Sequence, residues 1–359
     1  MTTIVDYKSP EKEILIDVFN EYRLNGSLHL LDSLNIASIT ENIIYENVEE
    51  YYDTCNGNNK GSRGQLKSKY TLRFGEKEGL YQEWRKNGQK YMECYFKEDK
   101  KNGRYQDWFG NGQKCQECYF RDGRRNGHYQ EWWDNGQKRV ECTHQDGHKD
   151  GLYQYWFDNG QKMIECHYKN DKKEGLYQEW YRGADNSIEN GQKKTECHYR
   201  EGNKNGLYEE WFDNGQKMIE CYYKNGKKEG IYKSWYRGAD NSIGENGQKK
   251  TECHYLDDKQ VGLYEEWWEN GEKFLKYHFT DGKRNGRYQE WWPNGKSWVE
   301  SYYLDDKQDG IYQEWDGQEQ KYLKITYRNN KKDGLYQEWN IEGILIKECH
   351  YKDDEEVLI

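Results

Sequence analysis

The chain has 359 residues, 33% hydrophobic and 33% charged, with net charge −10, 34 Tyr, 15 Trp and three alanines (Ala37, Ala184 and Ala239). So many amphipathic aromatics with so little aliphatic bulk exclude a thick core and favour a thin sheet. The acidic balance and the lack of a basic block exclude a nucleic-acid footprint and count against attraction to anionic membranes.

Residues 1–55 differ from the rest. Ser9-Pro10-Glu11 reads as a helix start, and Leu15, Val18, Phe19 and Tyr22 follow at helical spacing. Apolar periodicity resumes over Leu28 to Leu34 and Ile36 to Val48. A small helical cap over the first strand edge is expected, since repeat arrays need one. The alternative is an adaptor that docks another protein. The N-terminus has no signal-peptide core, so a soluble, cytoplasmic protein is expected. Asn56 to Arg63 reads as a linker, and Gly64-Gln65-Leu66-Lys67 as a half-hairpin ahead of the first full repeat.

From Gly64 to Tyr351 one unit recurs. Its leading glycines are Gly79, Gly103, Gly127, Gly151, Gly175, Gly206, Gly230, Gly262, Gly286, Gly310 and Gly334, mostly 24 residues apart. Such self-similarity sets the architecture before any propensity does. In the first repeat Gly79 to Trp84 (GLYQEW) precedes Asn87-Gly88, then Tyr91 to Phe96 (YMECYF). Asn-Gly between aromatic runs signals a hairpin with a type I′ turn. The last two repeats carry Gln318-Glu319 and Glu342-Gly343 there instead, so their turns are less well specified.

A two-residue turn at 87–88 sets Trp84 opposite Tyr91, Gln82 opposite Glu93 and Leu80 opposite Tyr95 on one face. On the other, Tyr81 opposes Cys94, Glu83 opposes Met92 and Gly79 opposes Phe96. Glycine beside the ring lets the ring lie over bare backbone. If Phe96 pairs across the polar link with Gly103, the even period keeps both faces in register. The expected fold is mainly β: an elongated single-layer antiparallel meander of eleven hairpins, with a helical N-terminal cap. Eleven hairpins at about 4.8 Å per strand extend roughly 105 Å, curved by twist.

Two repeats carry insertions, WYRGADNSIENGQKK and WYRGADNSIGENGQKK. One adds an odd and the other an even number of residues, yet the face pattern resumes after both. They are therefore expected to be hairpin tips outside the ladder, with Arg182, Asp185, Asn186, Arg237, Asp240 and Asn241 as candidate binding residues. Trp180, Trp211 and Trp235 are the candidate binding face beside them. Residues 352–359 (KDDEE and beyond) are expected to be an acidic tail that discourages edge pairing.

Seven cysteines, from Cys94 to Cys253, share one repeat position, two strands or about 9.6 Å apart, too far for disulfides. They read as small hydrophobes beneath the tyrosines, in a reducing compartment. Cys166 and His167 point to opposite faces, as do Cys115 and Cys118, so neither pair chelates a metal. The repeated Glu and Gln are too uniform for a tuned catalytic pair. No enzyme activity, cofactor or metal is expected.

The unit G-L-Y-Q-E-W-x-x-N-G-Q-K-x-x-E-C-x-Y resembles the MORN repeat, and more closely the variant class of bacterial antitoxin-like proteins and giant-virus arrays. The commonest MORN pattern sets Tyr and Trp around a glycine, whereas Tyr81 and Trp84 have none between them. Few Ala with many Lys, Asn, Tyr and Ile fit an AT-rich source such as a large DNA virus of amoebae. The resemblance implies a single-layer meander and a role in scaffolding, protein contact, self-association or, in some members, phospholipid binding. The leading expectation is a protein-interaction scaffold. The alternatives are a phospholipid-binding module, which the acidic charge opposes, and an antitoxin-like inhibitor of an enzyme.

Overall fold

A computed structural model describes residues 45–52, 64–184, 191–238 and 247–357. Among these residues are 28 β-strands and no helix. The fold comprises two compact units, Met1–Gly160 with Tyr168–Asp171, and Gln161–His167 with Lys172–Ile359. Strands of the first unit run from Tyr45–Tyr51 to His148–Trp156, and those of the second from Lys172–Trp180 to Glu355–Val357. Each unit is built of consecutive antiparallel hairpins.

The hairpin register follows the sequence until its last pair. Strand Gly79–Trp84 meets Lys90–Lys97 as Gly79↔Phe96, Leu80↔Tyr95, Tyr81↔Cys94, Gln82↔Glu93 and Glu83↔Met92, but Trp84 lies opposite Lys90, not Tyr91. The turn is the cause. Arg85 N–H donates to Gln89 O at 2.8 Å, and Gly88 N–H to Arg85 O at 2.9 Å. Within this loop Gly88 alone takes a left-handed conformation, at φ 83°. That is a type I turn closed by a left-handed glycine, and the added residue makes Tyr91 a bulge. Asn87 serves through its side chain, whose Oδ1 accepts from Gln89 N–H at 3.1 Å.

The type I′ turns lie at the opposite edge, in the links between repeats. Lys97 pairs with Lys100 around Glu98 and Asp99, at φ 49° and 59°. Asn170-Asp171, Asp257-Asp258 and Asp305-Asp306 repeat the pattern, and Asn and Asp visit this region at less cost than most residues. Phe96 therefore meets Lys101 rather than Gly103, with Cys94↔Tyr105 further along. The offset is two residues, so both faces survive it.

The turns of the last two repeats take the common form despite lacking Asn-Gly. Asp316 N–H donates to Gln320 O and Asn340 N–H to Ile344 O, each at 2.9 Å. At the insertions, Trp180 pairs with Lys193 and Trp235 with Lys249, as Trp211 pairs with Lys217 in an ordinary repeat. The added residues thus leave the ladder intact; 185–190 and 239–246 lie outside the described residues.

The ends depart from expectation. Tyr45–Tyr51, read as part of a helical cap, is a strand paired with Leu66–Arg73. It supplies the partner that the half-hairpin lacks: the Glu50 carboxylate accepts hydrogen bonds from Ser68 Oγ at 2.7 Å and Tyr70 OH at 3.3 Å. The rest of the expected cap and the linker at 56–63 lie outside the described residues. At the other end, Glu355–Val357 is no tail but a short strand paired with Leu345–Lys352.

Side chains knit consecutive repeats at both edges. At the tip edge Trp133 Nε1–H donates to Trp156 O at 3.1 Å, and Asn135 Nδ2–H to Asp158 O at 2.7 Å. At the link edge Lys77 N–H donates to Asp99 Oδ1 at 2.7 Å. Each such bond contributes about 0.5–1.5 kcal/mol net, and repetition makes the sum matter.

Candidate interaction surfaces

The strand alternation makes two unlike faces. On one, the repeated tyrosine packs edge-on against the aromatic of the partner strand, Tyr81 on Phe96 at 5.5 Å between centroids and Tyr208 on Tyr223 at 5.5 Å. From the first repeat to the seventh the cysteine opposite the tyrosine is sealed beneath the rings: Cys94, Cys118 and Cys197 are 1% exposed, and all three are free thiols. Burial pushes the thiols of Cys94, Cys142, Cys221 and Cys253 up to about 11. A lysine closes the row from above, with Lys77 Nζ at 4.6 Å from the Tyr81 ring and 5.2 Å from Phe96. In most repeats the tyrosine hydroxyl donates to the carboxylate two residues on, as Tyr81 to Glu83 at 2.6 Å. Burial, then this carboxylate, raises the phenol's pKa. Where this lysine is present, rings, cation and carboxylate close over the cysteine.

The opposite face is built differently. Gln82 and Lys90 both donate to Glu93 at 2.7 Å. Desolvation works to raise the glutamate's pKa, and the Lys90 and Gln82 bonds outweigh it. In the second repeat Glu117 also receives Arg104, and against the same desolvation its carboxyl is held at about 2. The lysines of this row from Lys90 to Lys273 reach over the next repeat's tryptophan, Lys90 over Trp108 at 5.7 Å and Lys193 over Trp211 at 5.3 Å, whereas Lys321 lies over Trp315 of its own hairpin.

Next to this polar ladder, apolar side chains stand in solvent. Leu80, Tyr95, Tyr119 and Leu152 of the first unit, and Leu176, Tyr222, Ile231, Tyr302 and Ile311 of the second, are all exposed large hydrophobics. They occupy two facing positions, since Leu80 pairs with Tyr95 and Leu207 with Tyr222. Histidine takes the second position at His198 and His254, opposite Leu176 and Ile231.

The residues singled out from the sequence fall as follows. Trp180, Trp211 and Trp235 are half-buried, and each carries a lysine of the preceding repeat over its ring: Lys162, Lys193 and Lys217. They join repeats. The exposed neighbours on their face, Leu176, Tyr222 and Ile231, were not singled out, although the pairing of Leu80 with Tyr95 was readable from the register. Arg237 pairs with Asp213 at 2.7 Å, across to the preceding turn, and Arg182 lies at the corresponding insertion base. Asp185, Asn186, Asp240 and Asn241 lie outside the described residues.

Among the described residues no cluster of three or more His, Cys, Asp or Glu is placed to hold a metal ion. A cleft of about 360 Å³ lies between Tyr52, Lys67, Glu83, Trp84 and Tyr91.

Fold and surfaces together define a β-hairpin repeat protein with two unlike sheet faces. Residues 125–146, 149–170, 204–225 and 284–305 match the family model described as the MORN repeat variant. The chain is a MORN-repeat protein. No curated protein matches it. Among solved structures, a chain of the Tc holotoxin pore of Photorhabdus luminescens is 8% identical, with a TM-score of 0.16. That likeness covers 82% of this chain and 19% of the other, so the present chain spans well under two thirds of it.

Proposed function

We propose that the protein is a non-catalytic, protein-binding scaffold and that its tryptophan-bearing face receives the partner. The asymmetry of the faces supports this reading. One face seals its cysteines beneath rings and lysines, whereas the other leaves Leu176, Tyr222 and Ile231 in water beside a satisfied Gln–Glu–Lys ladder. An apolar strip rimmed by paired polar groups is the anatomy of an interface, where aromatic and aliphatic anchors supply affinity and the rim supplies register. Such contacts recur at about 9.6 Å, two strand spacings, and favour an extended partner over a small molecule. The two insertions leave the ladder in this same stretch of repeats, after Trp180 and Trp235.

The test is crosslinking with mass spectrometry on the full chain in its native cell extract. A triple variant, Leu176→Asp, Tyr222→Ser and Ile231→Asp, is compared with a control altered at the link edge, Lys169→Ser and Lys224→Ser. A partner crosslinked to wild type and control but lost from the triple variant supports the reading. A partner retained by the triple variant places the contact elsewhere. Anionic vesicles in the same extract compete with the partner only if lipid is the true ligand.

A further inference from the structure

The cation that closes the tyrosine face is present in nine of the eleven repeats, from Lys77 over Tyr81 at 4.6 Å to Lys332 over Tyr336 at 5.4 Å. Repeats eight and ten have Gln260 and Gln308 at that position. Gln260 Nε2–H donates to the Tyr255 hydroxyl of the preceding repeat at 3.3 Å. Among the described residues no Lys or Arg lies over the rings of Tyr264, Phe279, Tyr312 or Tyr327, although the neighbouring slots on either side are filled by Lys228, Arg284 and Lys332.

The tyrosine–aromatic pair and the carboxylate of each slot are kept, while Tyr277 and Ile325 replace the cysteine beneath them. Tyr264 stands edge-on to Phe279 at 6.2 Å, and Tyr312 to Tyr327 at 6.0 Å. The tyrosine hydroxyls donate to Glu266 and Glu314. In repeat eight a third ring is added: Tyr277 stands where the other repeats mostly have cysteine and stacks on Tyr264 at 4.7 Å. Both slots follow an identical turn, Leu256-Asp257-Asp258-Lys259-Gln260 and Leu304-Asp305-Asp306-Lys307-Gln308. This turn also places leucine where Lys97, Arg121 and Lys169 stand elsewhere, and Leu256 and Leu304 are 54% and 55% exposed. Its aspartates are engaged within the protein, Asp257 with Lys227 at 3.6 Å and Asp306 with the Arg284 backbone and guanidinium. Each turn therefore removes two cations, keeps the carboxylates and adds an exposed apolar side chain.

We infer that the slots of repeats eight and ten are receptor sites for an ammonium or guanidinium group, supplied by lysine or arginine side chains of a protein partner. An ammonium over Tyr264 and Phe279, or over Tyr312 and Tyr327, is held by the ring quadrupoles, and Glu266 or Glu314 balances its charge. The same slot elsewhere in the chain holds this group, so its size and charge already fit. The exposed leucine beside each slot offers an apolar contact that a peptide can use and a free amine cannot. The two slots lie two repeats apart, about 19 Å by strand spacing, and select a segment with two basic residues at that separation. This site is on the face opposite the proposed docking strip, so its test is independent of that reading.

The experiment is isothermal titration of the full chain with a tetralysine peptide and, separately, with n-butylammonium chloride. The variant Gln260→Lys/Gln308→Lys fills both slots with the residue nature places there in most repeats, so it folds. A second variant, Gln145→Lys/Thr280→Lys, adds the same charge at the link edge without filling a slot. Wild type and the second variant bind tetralysine alike, and the slot-filled variant binds at least tenfold more weakly. Tighter binding of tetralysine than of butylammonium identifies a partner's side chains as the source, and equal affinity per site identifies a free amine. Equal weakening by both variants reduces the effect to net charge and overturns the proposal, as does a wild type that binds neither probe.

Discussion

The side chain of Gln216 and the backbone of Gly238 meet at 2.8 Å, the glycine N–H donating to Gln216 Oε1. Gln216 is 2% exposed, and Gln161, which accepts from Gly183 N–H at 2.8 Å, is 1% exposed. Each insertion is thus anchored at its base by a buried amide of the preceding repeat. Replacing that amide with an apolar group strands a buried donor, which costs about 1–3 kcal/mol. Gln216→Leu is expected to lower stability by that amount and to speed hydrogen exchange at Gly238. Unchanged exchange there would show the insertion base to be held by other means.

Repeat ten turns without glycine at the left-handed position. Glu319 occupies it at φ 70°, and its N–H still donates to Asp316 O at 3.0 Å. A side chain in this conformation costs on the order of 1 kcal/mol, which glycine avoids. Glu319→Gly is expected to stabilise the protein by about 0.5–1 kcal/mol in denaturant melts. A destabilised variant would mean that the turn differs in solution.

Much of this fold is legible in the sequence because period and alternation are redundant: eleven copies fix the faces, and Leu80, Gln82 and Tyr81 meet the partners read for them. The turns were misread because Asn-Gly suits two geometries. In Asn87-Gly88 the asparagine works through its side chain, and only the glycine needs positive φ. The true type I′ turns are written Glu98-Asp99 or Asp257-Asp258, and Asp122-Gly123 was the clue. Tyr45–Tyr51 was read as helix from local apolar spacing, yet an unpaired neighbour strand decides such short segments. The exposed strip at Leu176 and Ile231 was hidden for another reason. In a single layer neither face is obviously the core, and only packing shows which apolar row is covered.

The buried thiols make stability depend on pH at the alkaline end. Burial raises Cys94, Cys142, Cys221 and Cys253 from an ordinary 9.0 to about 11. A folded-state pKa above the unfolded one contributes stability that is fully present below pH 9 and lost as pH rises through 11. Tyr255 and Tyr277, raised to about 12 chiefly by burial, extend the trend upward. Melting temperature is expected to hold from pH 7 to 8.5 and to fall steadily between pH 9 and 11. Maleimide at pH 8 is expected to label these thiols only after denaturant is added. Rapid labelling at these four positions in the native protein, read by peptide mass mapping apart from Cys115 and Cys349, would contradict their burial.

The leading glycine of each repeat is needed for its backbone, beyond the ring that lies near it. Gly103 adopts φ 114°, and a Cβ there stands 3.2 Å from Cβ of Tyr95. Alanine therefore meets both a disfavoured conformation and a close contact that the paired strand cannot easily relieve. Gly103→Ala is expected to cost about 1–3 kcal/mol. Gly110 provides the contrast, since a Cβ there meets nothing within 4 Å and its φ is not left-handed. Gly110→Ala is expected to be neutral or to stabilise by up to about 1 kcal/mol, through the entropy of the unfolded chain. Chemical denaturation of the two variants side by side separates these causes, because both remove one glycine from the same repeat. Equal destabilisation would show that chain entropy and backbone strain have been assigned to the wrong positions.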